Sequence, residues 1–147
     1  MNDPKKAVVE RKPREPRKAT VQDLPTLLGL ARAFADAGDF AAAEAAAAAA
    51  TLVDGRAFYA WVALGIARAR LGRDALAVTA FLKALEIDPK AVSVWVDLGE
   101  IYLNKGRYEL AAEALRNACE LDKDGRTPPG RRARALIGRT IALLKKG

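Results

Sequence analysis

One internal spacing constrains this chain more than any other feature. Trp61-x-x-Leu64-Gly65 returns 34 residues later as Trp95-x-x-Leu98-Gly99-x-x-Tyr102. The register holds beyond those triplets: Gly72 falls on Gly106, Ala77 on Ala111, Ala84 on Ala118, Glu86 on Glu120 and Asp88 on Asp122. A fixed period of this length describes a unit that cannot bury its own apolar face and must stack on copies of itself. Run backwards, the frame puts Leu27, Leu30, Ala31 and Phe34 where the next repeat has Trp61, Leu64, Gly65 and Arg68, and Gly38 on Gly72. The chain therefore divides into three repeats, 24–57, 58–91 and 92–125.

Each repeat reads as a pair of helices. In the first, a helix near 23–37 leads through a turn at Gly38-Asp39 to a second helix near 40–52, with Asp39 placed to accept the first-turn N–H groups. The run Ala41–Ala50 is low in complexity, but alanine is the best helix former, and its place in the frame makes it a helix. In the second repeat Ala77, Phe81 and Ala84 form the stripe that faces Trp61, Leu64 and Gly65. Gly65 allows close crossing, Gly72 ends the first helix, and Asp88-Pro89 stops the second. Three positions break the pattern: Arg68 stands where Tyr102 does, Leu115 replaces Phe81, and Lys123 replaces Pro89.

A 34-residue period with Trp-x-x-Leu-Gly is similar to the tetratricopeptide repeat (TPR) family. The resemblance implies an all-α fold, a right-handed superhelical stack of three helix pairs, and work done by binding other polypeptides.

Outside the repeats lie two basic ends. Residues 1–20 hold three prolines and a net charge of +4, too little apolar surface to order, and read as a flexible basic N-terminal arm. Residues 126–147 carry seven Lys/Arg and no acid, whereas the body 21–125 is net −4, so the overall +7 is an effect of the ends. Thr127-Pro128-Pro129-Gly130 reads as a breaker. After it Ala133, Leu136, Ile137, Thr140, Ile141 and Leu144 form an amphipathic stripe, read as a capping helix over 131–146 that covers the last repeat.

Several chemistries are disfavoured. The chain has no histidine and one cysteine, Cys119, so the commonest general base, the commonest metal ligand and any intrachain disulfide are missing together. No phosphate loop or nucleophile elbow is present. The expectation is no enzyme, no cofactor and no metal. Lacking a visible leader and any apolar run near the ~18 residues of a membrane span, the chain is expected to be cytoplasmic.

The outward side of each repeat's first helix can be read at helical spacing. It offers Leu28 and Arg32 in the first repeat, Tyr59, Val62, Ile66 and Arg70 in the second, and Val96, Asp97, Glu100 and Leu103 in the third. Leu28, Tyr59, Val62, Ile66, Val96 and Leu103 would form an apolar strip in the concave groove, with Arg32 and Arg70 toward one side and Asp97 and Glu100 toward the other. Such a strip with a polar rim suits an extended peptide or an amphipathic helix of a partner protein.

Two narrower statements follow from the resemblance. Family members that hold the acidic tails of heat-shock chaperones place Lys, Asn and Arg at positions that here hold Leu28, Arg32, Ala63, Ser93 and Asp97, so that role is not expected. The run Asp54-Gly-Arg56-Ala-Phe58-Tyr59, leading to Leu64-Gly65, is similar to bacterial chaperones of type III secretion translocators. That likeness implies a client segment in the groove and a possible homodimer. Other classes left open are a scaffold subunit of a cytoplasmic complex and a basic-tailed binder of nucleic acid or an anionic surface.

Overall fold

A computed structural model describes residue 13 and residues 23–147. The N-terminal arm expected over 1–20 lies outside the described residues, except for Pro13. Among the described residues there are seven α-helices and no strand. They are α1 (Leu24–Asp36), α2 (Phe40–Val53), α3 (Phe58–Arg70), α4 (Asp74–Ile87), α5 (Val92–Asn104), α6 (Tyr108–Leu121) and α7 (Pro128–Lys146). α1/α2, α3/α4 and α5/α6 are the three expected pairs, each helix packing on its successor, and α7 lies along both α5 and α6.

The local signals behave as their chemistry requires. Gly38, Gly72 and Gly106 all sit at positive φ, 79°, 75° and 73°. There the next residue's N–H reaches back to close the helix, from Asp39, Arg73 and Arg107 to the carbonyls of Phe34, Arg68 and Tyr102, at 2.8–2.9 Å. Gly72→Ala has open space for its Cβ, so only the left-handed backbone opposes it. Thermal or urea melts should show a loss of about 1–2 kcal/mol. A full-size loss at Gly29, where φ is ordinary and space is open, would contradict that account.

Asp39 caps α2, accepting from Ala42 N at 3.1 Å. After each second helix an aspartate folds the exit, Asp54 accepting from Arg56 N and Asp88 from Lys90 N. The indole N–H groups of Trp61 and Trp95 then donate to the carbonyls of Gly55 and Pro89 at 2.9 and 2.8 Å.

Within a pair, contact depends on a trade of side-chain size. A Cβ on Gly65 would meet the Phe81 ring at 2.5 Å, and one on Gly99 would meet Leu115 at 2.7 Å. In the first repeat the same two positions are Ala31 and Ala47, both buried in one cluster. So the departure of Leu115 from the Phe81 pattern is accommodated by the same close approach of glycine.

The last helix begins earlier than its sequence suggested. Pro128 and Pro129 occupy the first turn of α7, where their missing N–H groups cost nothing. Thr127 caps it, accepting from Gly130 N at 3.1 Å. Asp122, in the register of Asp54 and Asp88, accepts from Arg126 N, Thr127 N and the Thr127 hydroxyl. The Thr127 hydroxyl bond is the main reason its carboxyl is held down to about 2. Ala133 is fully buried against Val96, Leu115 and Ala118, with Leu136 and Ile137 beside it. Ile141, further along the expected stripe, remains exposed.

Candidate interaction groove

The outward faces of α1, α3 and α5 carry the residues expected to line a groove, and they divide into two groups. On α1 and α3 the named side chains lie at or near the surface. Leu28 is half-buried and Arg32 is exposed, within 4.0 Å of Asp36. Tyr59 is 73 % exposed, its ring edge-on to Phe58 at 5.2 Å, and Ile66 is 39 % exposed. Val62 lies between them, partly packed on the core. Arg70 is exposed and sits over the Phe40 ring, 4.5 Å from its centre.

On α5 two expected groove residues are core instead. Val96 is 2 % exposed because Ala133 of α7 packs over it. Leu103 is 7 % exposed. The residue in the register of Arg70 is Asn104, which does face the cavity, and Leu103 sits about 100° round the helix from it. The apolar strip therefore stops at the end of the second repeat. A Val96→Asp substitution would test folding, not binding.

Beyond the strip the surface turns polar. A cavity of about 410 Å³ lies where α3, α5 and α7 converge, lined by Ile66, Arg70, Asp97, Glu100, Asn104 and Arg132. Arg132 was not legible as a groove residue; its Nη2 donates to Glu100 Oε1 at 2.6 Å. In the sequence it stands only as a basic residue off the Ala133–Leu144 stripe. Asp97 has its pKa raised to about 6, first by burial, then by Glu100, with Arg132 opposing.

That shift has a definite sign. The folded chain holds the Asp97 proton to higher pH than the unfolded chain does, so stability falls as pH rises from about 4 through about 6. Asp97→Asn should match the wild type near pH 4 and exceed it by about 1–3 kcal/mol at pH 7. Denaturant melts across that range check it, and equal curves at pH 7 would refute the desolvated carboxylate.

Among the described residues no group of three or more His, Cys, Asp or Glu is placed to hold a metal ion. Burial pushes the half-exposed Cys119 thiol up, the behaviour of a packing residue and not of a nucleophile. Among the described residues no helix is long and apolar enough to cross a membrane.

Two family models, both described as tetratricopeptide repeat, match residues 28–92 and 80–113. The chain belongs to the tetratricopeptide repeat family. No curated protein matches its sequence. Solved structures share the TPR fold at low identity. One is the Yersinia enterocolitica type III secretion chaperone SycD in complex with a peptide of the translocator YopD. It is 23 % identical with a TM-score of 0.77, over 86 % of this chain and 96 % of that one. Another is the TPR2B domain of yeast Sti1 in a pHsp70 complex, 17 % identical, TM-score 0.77, over 82 % and 98 %. A third is the Arabidopsis OM64 TPR domain, 19 % identical, TM-score 0.75, over 83 % and 97 %.

Proposed function

We propose that this TPR protein is an adaptor or chaperone that holds a segment of another protein along the outward face of α1 and α3, with the charged cavity at its far end. The observation that carries the reading is the pair Tyr59 and Ile66, large side chains left in water two turns apart on one face of α3. Leaving them wet opposes stability by roughly 25 cal/mol per Å² of apolar area, and a partner that covers them recovers it. The bound segment is apolar where it meets Leu28, Tyr59, Val62 and Ile66, and polar where it meets Arg32, Arg70, Asp97 and Glu100. Two of the similar structures were solved with a partner, a peptide of the translocator YopD for SycD and pHsp70 for Sti1. A chaperone of the SycD kind, working in the cytoplasm on a client of that chemistry, is the specific form of this proposal.

The test compares a tagged wild-type protein with Ile66→Asp in the native host. One dominant polypeptide should co-purify with the wild type and fall at least tenfold in the variant, with the two melting curves alike. Ile66 is on the surface, so the substitution leaves the core intact. Recovery unaffected by Ile66→Asp but lost with high salt or nuclease would overturn the groove reading and move binding to the basic ends.

A further inference from the structure

The joints between repeats are unequal. α2 is mostly alanine, and α3 settles close against it around Ala46, Ala47 and Leu64. α4 instead presents Phe81 and Leu85, and larger side chains hold α5 farther off through Val94, Leu98 and Trp95. The wider joint leaves the groove cavity on one side. Where the helix turns lie, it opens into a second cleft of about 800 Å³. Val78, Ile101 and Tyr102 line it, together with Leu76 and Leu110, which are 49 % and 41 % exposed.

The corresponding place at the first joint is filled by the chain itself. One period earlier, Tyr102 becomes Arg68 and Val78 becomes Glu44. Arg68 Nη1 donates to the Leu76 carbonyl at 3.0 Å, its Nε faces Glu44 at 3.5 Å, and Arg73 closes on the same carboxylate. At the second joint Tyr102 and Val78 stand in the registers of Arg68 and Glu44, and among the described residues no ion pair fills the corresponding place. Two exposed leucines at the mouth of an apolar cleft mark a place for a side chain from outside.

The rim sets the charge of what enters. Arg73, Lys105 and Arg107 line the mouth. Arg73 is held by Glu44, and Lys105 is 3.0 Å from Asp74. Among the described residues, no ion pair or hydrogen bond engages the exposed Arg107 side chain. Arg73 and Arg107 also occupy the cap positions where the first repeat has Asp39, so α4 and α6 begin without a side-chain acceptor. We infer that this cleft docks an acidic segment of a partner protein, with a leucine or aromatic side chain seated between Leu76 and Leu110 and a carboxylate on Arg107. The site is separate from the Tyr59–Ile66 strip, and the chain can engage both.

The test uses a random dodecapeptide phage library as the probe against the full-length protein. Enriched peptides should carry Leu, Phe or Trp flanked by Asp or Glu. Their binding should fall at least tenfold with Leu110→Glu and with Arg107→Glu, and stay unchanged with Ile66→Asp. Arg107 is a surface residue, so its variant remains informative if Leu110→Glu folds poorly. A basic or uncharged consensus, an empty selection, or loss of binding with Ile66→Asp alone would overturn the inference. So would a wild-type dimer that Leu110→Glu converts to monomer in light scattering, because the occupant would then be a second copy.

Discussion

Phe81→Ala is expected to lower the stability of this TPR chain by about 3–5 kcal/mol, the range for deleting a fully buried aromatic ring. Phe81 is 1 % exposed, lies in the central cluster and rests on the bare backbone of Gly65. Gly65→Ala should also destabilise, by about 1–3 kcal/mol, because its Cβ would enter the ring. The informative variant is the double one. Alanine at both positions recreates the Ala31/Ala47 contact of the first repeat, so the new Cβ occupies part of the space the ring vacated. The double cost in urea melts should fall below the sum of the single costs, a coupling between touching residues. Strict additivity would show that the close approach at Gly65 is not what governs this pair.

The second large effect is at Trp95. Its indole packs against both the central cluster and the cluster under α7, and its Nε1 donates to the Pro89 carbonyl. Trp95→Ala should cost about 3–5 kcal/mol. Tyr59→Ala, at an aromatic largely in water, should stay within about 0.5 kcal/mol in the same melts. The reverse order would mean that the inward and outward faces of α3 and α5 have been exchanged.

Much of this architecture was legible because the repeat multiplies each weak signal. A lone glycine says little, but Gly38, Gly72 and Gly106 at one register position mark three turns, and the ends of α1 and α2 fall within a residue of expectation. What was not legible depends on contacts between distant segments. Val96 reads as a groove residue from its own helix, but α7, from more than thirty residues away, packs Ala133 onto it beside Leu115 and Ala118. Arg132 enters the groove for the same reason. Pro128 and Pro129 read as a stop because proline breaks helices, yet the same missing N–H makes it a good start. Arg68 looked like a lapse in the pattern until Glu44 supplied its partner across the joint.

The unequal joints also bear on how the molecule comes apart. In a stacked array, cooperativity is carried by the interface between neighbours. Here one block, α1 to α4, is knitted by alanines at close range, and another, α5 to α7, is closed by Ala133 and Leu115. Between them, side-chain coupling is concentrated in a few large residues, Phe81, Leu85, Leu98 and the two tryptophans. Sub-global opening is then easiest along that seam. Each half has its own buried cluster beside the seam, so native-state hydrogen exchange should release the amides of α5 to α7 together, as one cooperative unit.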